Sequence, residues 1–181
     1  MSQDSPHPFT LPAFRAFWCA RLCATLAANG MLLILGWQAY NLARADLGVG
    51  ASAGILGLIG LLQFVPLFLL TPLVGWVADR VDRRWIARLT LLMQMLIAAT
   101  LALLTHQGLI TLTAIYAMAV VLGATRAFMG PAMGALAPNL VPKASLPRAI
   151  ALSTIAWQMG VIVGPGVAGP LYKIAPHVPY L

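Results

Sequence analysis

The sequence predicts an all-α membrane protein of about five spanning helices, on composition, charge spacing and charge bias. Of its 181 residues, 61% are hydrophobic and 8% are charged, with a mean hydropathy of +0.89. An ordinary soluble domain carries roughly 25% charged residues. A chain of this length could not hide so much apolar surface from water, so lipid must solvate most of it. Charge is also unevenly spaced. Residues 47–78 and 89–125 contain no Asp, Glu, Lys or Arg, and ~20 such residues cross a ~30 Å hydrocarbon layer.

Breaks at charges, prolines and glycines place the spans at roughly 16–42, 51–78, 85–105, 110–136 and 148–171. The first follows MSQDSPHPFTLP, which lacks a basic n-region, and Arg21 interrupts what would be an h-region. It therefore reads as a retained helix and not as a signal peptide. Cys19 and Cys23 lie one turn apart in it without a nearby His or carboxylate. They read as small helix-packing residues. The second span ends in the charge cluster GWVADRVDRR, and Asp82 is placed to cap the third. HQG separates the third from the fourth, which carries Arg126 inside an apolar run. PNLVPKASLP leads into the fifth, and HVPYL reads as the approach to a sixth span cut off at Leu181.

Positive charge is biased between alternate connections. With the N-terminus in the cytoplasm, that side receives Arg15, Arg21, Arg80, Arg83, Arg84, Arg88, Lys143 and Arg148. The other side receives Arg44 and Lys173. Eight against two in short loops is the positive-inside distribution. The net charge of +7 is thus a topology signal, which excludes the nucleic-acid reading.

Three stretches exceed what topology requires. In GWVADRVDRR, Asp79 sits at a helix C-terminus, where the macrodipole disfavours a carboxylate by ~0.3–1 kcal/mol unless it has partners. Arg83 or the N-terminus of another helix could supply them. Gly75, one turn earlier, permits close approach of a helix. Gate brace and plain topology signal are both open. In VLGATRAFMGPAMG, Arg126 costs on the order of 2.5–3.5 kcal/mol at a helix centre. It either faces a water-filled cavity or snorkels to the interface. In MGVIVGPGVAGP, Gly160, Gly164 and Gly169 allow backbones to meet, and Pro165 bends the axis.

These stretches resemble, in order, signatures of the major facilitator superfamily. Gly75-x-x-x-Asp79-Arg80-x-x-Arg83-Arg84 resembles the cytoplasmic gate motif between helices two and three, with Asp82 where glycine is usual. Leu122-x-x-x-Arg126-x-x-x-Gly130 is similar to the fourth-helix signature of proton-coupled members. Gly160-x-x-x-Gly164-Pro165 with Gly169 resembles the fifth-helix antiporter motif of exporters. FRAFWCARL and LPRAIALSTIAWQMGVIVGPGVAG look most like the enterobactin exporter branch and its macrolide-efflux relatives.

The resemblance implies a tail over residues 1–13 and, over 14–181, an incomplete N-terminal half of a bundle built from inverted three-helix repeats. Helices one, two, four and five would line a substrate and proton cavity. That implicates Arg126, Asn29, Gln38, Gln63 and Gln158, with Trp37 as an aromatic wall, and leaves Gln94 structural. The expected function is secondary active export of a siderophore- or drug-like molecule across the bacterial inner membrane by proton antiport. A second expectation is a truncated, non-transporting membrane partner. No enzyme constellation, cofactor or metal site is expected, since His7, His106 and His177 fall in the tail or connections. The partners implied are a small-molecule substrate, lipid, a proton gradient and the missing C-terminal half. The chain has no glutamate, and its aspartates are Asp4, Asp46, Asp79 and Asp82. An embedded proton carrier is therefore missing from this half, unless Asp79 serves.

Overall fold

The structure, a computed structural model, describes residues 6–180. The first five residues of the expected tail, Asp4 among them, and Leu181 lie outside these residues. Among the described residues there are five helices long and apolar enough to cross a membrane. They are α1 (Pro12–Arg44), α2 (Gly50–Arg80), α3 (Arg83–His106), α4 (Leu112–Leu136) and α5 (Leu146–Ile174). All five expected spans are present; α1, α2, α3 and α5 run slightly beyond their expected bounds, while α4 begins at Leu112, two residues later than expected.

Local chemistry sets the joints. Between α1 and α2, helical geometry breaks at Gly48 alone (φ 74°, ψ 179°), a left-handed conformation that favours glycine. The expected ARADLGVG connection is therefore mostly helical. Asp82 caps α3, its Oδ1 accepting from the Arg84 amide at 2.8 Å, as the sequence predicts. Gly108, with φ 69°, ends that helix, and Thr111 caps α4 by accepting from the Ala114 amide at 3.2 Å. Pro147 stands in the first turn of α5, where its missing N–H costs nothing.

Two apolar clusters hold the helices. At the end bearing the N-terminus, Phe14, Phe17, Ile86, Ala87, Ala132, Met133, Ala137 and Ala149 pack together. This is also the end rich in arginine, and it is called the basic end here. Toward the far end, Ile34, Leu35, Ala39, Ile97, Leu101, Ile115, Ala119 and Leu122 form the second cluster. Buried Ile86, Thr90, Gln94, Ile97 and Leu101 make one stripe on α3, while Trp85, Leu89, Leu92, Met95, Leu96 and Leu103 are exposed. A single buried stripe makes α3 a peripheral helix. Gln94 lies in that stripe and donates to the Ala24 carbonyl at 3.4 Å.

Two helix crossings bring backbones nearly into contact. A Cβ on Gly160 would lie 2.5 Å from the Thr25 Cβ, and one on Gly164 would lie 2.6 Å from the Leu26 carbonyl oxygen. A Cβ on Gly123 of α4 would lie 2.2 Å from the Gln63 carbonyl oxygen of α2. Exchanging the first helix for the fourth and the second for the fifth turns the α1–α5 crossing into the α4–α2 crossing. That is the relation expected of two inverted three-helix repeats. On α5 the contact stripe runs Gly160, Gly164, Ala168, each one turn apart, and Ala168 touches Gly30. Gly169 is one residue out of step and meets open space. Cys19 and Cys23 are both exposed among the described residues, not buried as the expected packing role would have them.

Candidate functional site: a cationic cleft

A cleft of about 250 Å³ opens among α1, α2, α4 and α5. Arg21, Thr25 and Asn29 repeat every fourth residue on α1, so they form one column on its surface. Arg126, Met129, Gly130 and Met133 form the facing column on α4, with Leu67 of α2 and Trp157 of α5 completing the wall. Trp157 stands one turn before Gly160, so the glycine crossing brings its ring to the cleft.

Depth is what makes the two arginines notable. Arg21 lies nine residues into α1, roughly 14 Å along its axis, and Arg126 lies ten residues before the end of α4, roughly 15 Å. Each therefore lies more than two turns inside an apolar helix, away from the connections. The neighbouring polar groups turn inward on their own helix. The Thr25 hydroxyl donates to the Arg21 carbonyl (2.7 Å), and Asn29 Nδ2 donates to the Thr25 carbonyl (2.8 Å). Arg21 Nε and Nη1 are buried without a hydrogen-bond partner.

Of the residues the sequence nominates for a cavity, Arg126 and Asn29 meet in this cleft. The other four are elsewhere. Gln38 is buried at the far end, donating to Thr105 Oγ1 (3.0 Å) and accepting from the Tyr180 hydroxyl (2.7 Å). Burial pushes the Tyr180 phenol above its ordinary pKa, with Tyr172 adding to the shift, so its hydroxyl stays a donor. Gln63 is buried where its backbone meets Gly123, and its Nε2 has no partner. Trp37 and Gln158 are exposed, with the Trp37 ring 6.4 Å from that of Tyr40. Conversely, Arg21, Met129, Met133 and Trp157 line the cleft without having been nominated. Arg21 reads in the sequence as a topology charge, although its four-residue spacing to Thr25 and Asn29 puts it on the same helix face.

The stretch GWVADRVDRR lies at the basic end. Gly75 faces open space, and Asp79 is exposed. Because α2 stops at Arg80, Arg83 opens α3 and does not continue the helical column of Asp79. Arg80 instead folds back on its own helix, its guanidinium carbon 4.3 Å from the Trp76 ring centroid and its Nη1 donating to the Trp76 carbonyl at 3.3 Å. Arg83 and Arg84 border a cleft of about 360 Å³ with Ala78, Leu136 and Asn139. They stand beside the C-terminal end of α4, where the helix dipole favours cations. Among the described residues, no group of three or more His, Cys, Asp or Glu side chains could hold a metal.

Comparison with known proteins decides the family. The model of the transmembrane secretion effector family, within the major facilitator superfamily, matches residues 4–178. The chain belongs to that family. It is similar to the staphyloferrin A transporter of Staphylococcus aureus (strain NCTC 8325 / PS 47), with 28% identity over 129 residues, covering 71% of this chain and 32% of that protein. It is also similar to macrolide efflux protein A of Streptococcus pyogenes, with 30% identity over 126 residues, covering 68% of this chain and 30% of that protein. This member of the family thus spans about a third of the length of the curated relatives it matches. Family membership and the five apolar helices together make it a multi-pass membrane protein with the fold of the superfamily's N-terminal half.

Proposed function

We propose that this chain forms the N-terminal half of a secondary active exporter that moves a small siderophore- or drug-like molecule by alternating access. The observation that carries this reading is the cleft walled by α1, α2, α4 and α5 and holding Arg21, Asn29 and Arg126. Two relatives named for siderophore transport and macrolide efflux support it. The basic end faces the cytoplasm of a bacterial inner membrane, by the positive-inside bias. There Gly75, Asp79, Arg80, Arg83 and Arg84 meet the other half as a gate, consistent with the exposure of Gly75 and Asp79. The crossing at Gly160 and Gly164, with Pro165 beside it, is the tight α1–α5 joint, while Gly169 stands outside that contact. Transport is coupled to proton entry, with the proton carried by Asp79, by a carboxylate of the other half or by the substrate.

The test uses the full-length transporter in everted membrane vesicles. Arg126→Ala should abolish efflux of the exported compound while leaving membrane insertion intact. Wild-type efflux by that variant removes Arg126 from the mechanism, and efflux indifferent to collapse of the proton gradient removes the antiport step.

A further inference from the structure

Two cations share the cleft, and among the described residues no acid lines it. Asp79 and Asp82 lie at the basic end, where the Asp82 carboxylate caps α3. Thr25 and Asn29 spend their hydrogen-bond donors on their own helix. Arg21 therefore keeps buried donors with no taker, and a buried, unpaired charge is strongly destabilising. A guanidinium is a rigid fork of donors suited to carboxylate and other oxyanions. The remaining wall, Trp157, Met129, Met133 and Leu67, is apolar and suits an organic frame.

We propose that Arg21 and Arg126 act as a two-point clamp, and that the substrate is a small organic molecule bearing at least two oxyanion groups, carboxylates in the first instance. This rests on reading the cleft as the substrate path. It adds to that reading a second anchor, Arg21, and a charge requirement. An uncharged or cationic compound would leave both guanidinium groups unneutralised in a low-dielectric site, whereas a dianion matches them in number and sign.

The experiment measures binding to the purified full-length protein, using benzene-1,2,4-tricarboxylate, its neutral trimethyl ester and inorganic pyrophosphate. The tricarboxylate should bind, and Arg21→Gln and Arg126→Gln should each weaken it roughly 10-fold or more. Arg21→Lys, which keeps a point charge but loses the fork, should retain part of the affinity. The ester should be indifferent to all three changes. Tighter binding of pyrophosphate than of the tricarboxylate, lost in the same variants, would keep the clamp and reassign the oxyanion to phosphate. Ester binding as tight as that of the acid overturns the inference, as does unchanged acid affinity in Arg21→Gln. If the glutamine variants fail to insert, Arg21→Lys and the acid-to-ester ratio on the wild type decide. Acid binding without any export leaves the clamp standing and removes the transport reading. Export of the ester that is untouched by Arg21→Gln does the reverse.

Discussion

Arg21 and Gln38 are two polar residues on the same helix, and the fold treats them in opposite ways. Gln38 lies in the far-end core with both ends of its amide engaged, one by Thr105 and one by Tyr180. Arg21 lies toward the basic end with two buried donors unengaged. A satisfied buried polar group rigidifies the core around it, while an unsatisfied one costs stability wherever it is kept. On the clamp proposed above, the contrast separates a residue that holds the bundle together from one that awaits a ligand.

The contrast can be sharpened by substitution in the full-length protein, beginning with a control on the frame that carries both residues. Gly123→Leu should have the largest effect, because its Cβ alone would overlap the Gln63 carbonyl. Little monodisperse protein should be recovered after detergent extraction, against normal yield for a surface control such as Leu103→Val. Gln38→Ala should cost about 1–3 kcal/mol by stranding the Tyr180 hydroxyl and Thr105, read as a lowered Tm with substrate affinity retained. Arg21→Met should do the opposite, holding or raising Tm while binding of the oxyanion probe is lost. Equal destabilisation by the last two changes would erase the distinction. Asp82→Ala should cost about 0.5–2 kcal/mol through the lost cap of α3, again visible as a modest fall in Tm. Gly75→Ala should leave Tm within a degree or two, since open space surrounds it here. Loss of export in that variant despite unchanged stability would locate a close partner on the other half.

The fold was legible in the sequence because lipid imposes a simple rule: charge-free runs of sufficient length must be helices, and charges mark their ends. Asp82 and Gly108 punctuate α3 as local chemistry dictates. The glycines at 160 and 164 mark a real backbone crossing, although Ala168 and not Gly169 continues it. The candidate site was harder to read. A lone amide inside an apolar run has the same sequence signature whether it faces a cavity or a neighbouring helix. Gln38 differs from Asn29 only through Thr105 and Tyr180, which are distant in the chain. Arg21 was masked by its nearness to the N-terminus, where arginine is ordinarily a topology charge. Trp157, Met129 and Met133 carry no signal that separates a cleft wall from a lipid-facing surface.

The glycine crossings have a mechanical corollary. At Gly164 and Gly123 main chain rests on main chain, so no intervening side chains remain to change rotamer and neither contact can slip by small repacking. α1 and α5, joined through Gly160 and Gly164, are therefore yoked as one pair, and α2 and α4, joined through Gly123, as another. Any rocking of this bundle must be hinged outside those two crossings, with spin labels on α1 and α5 holding a constant separation.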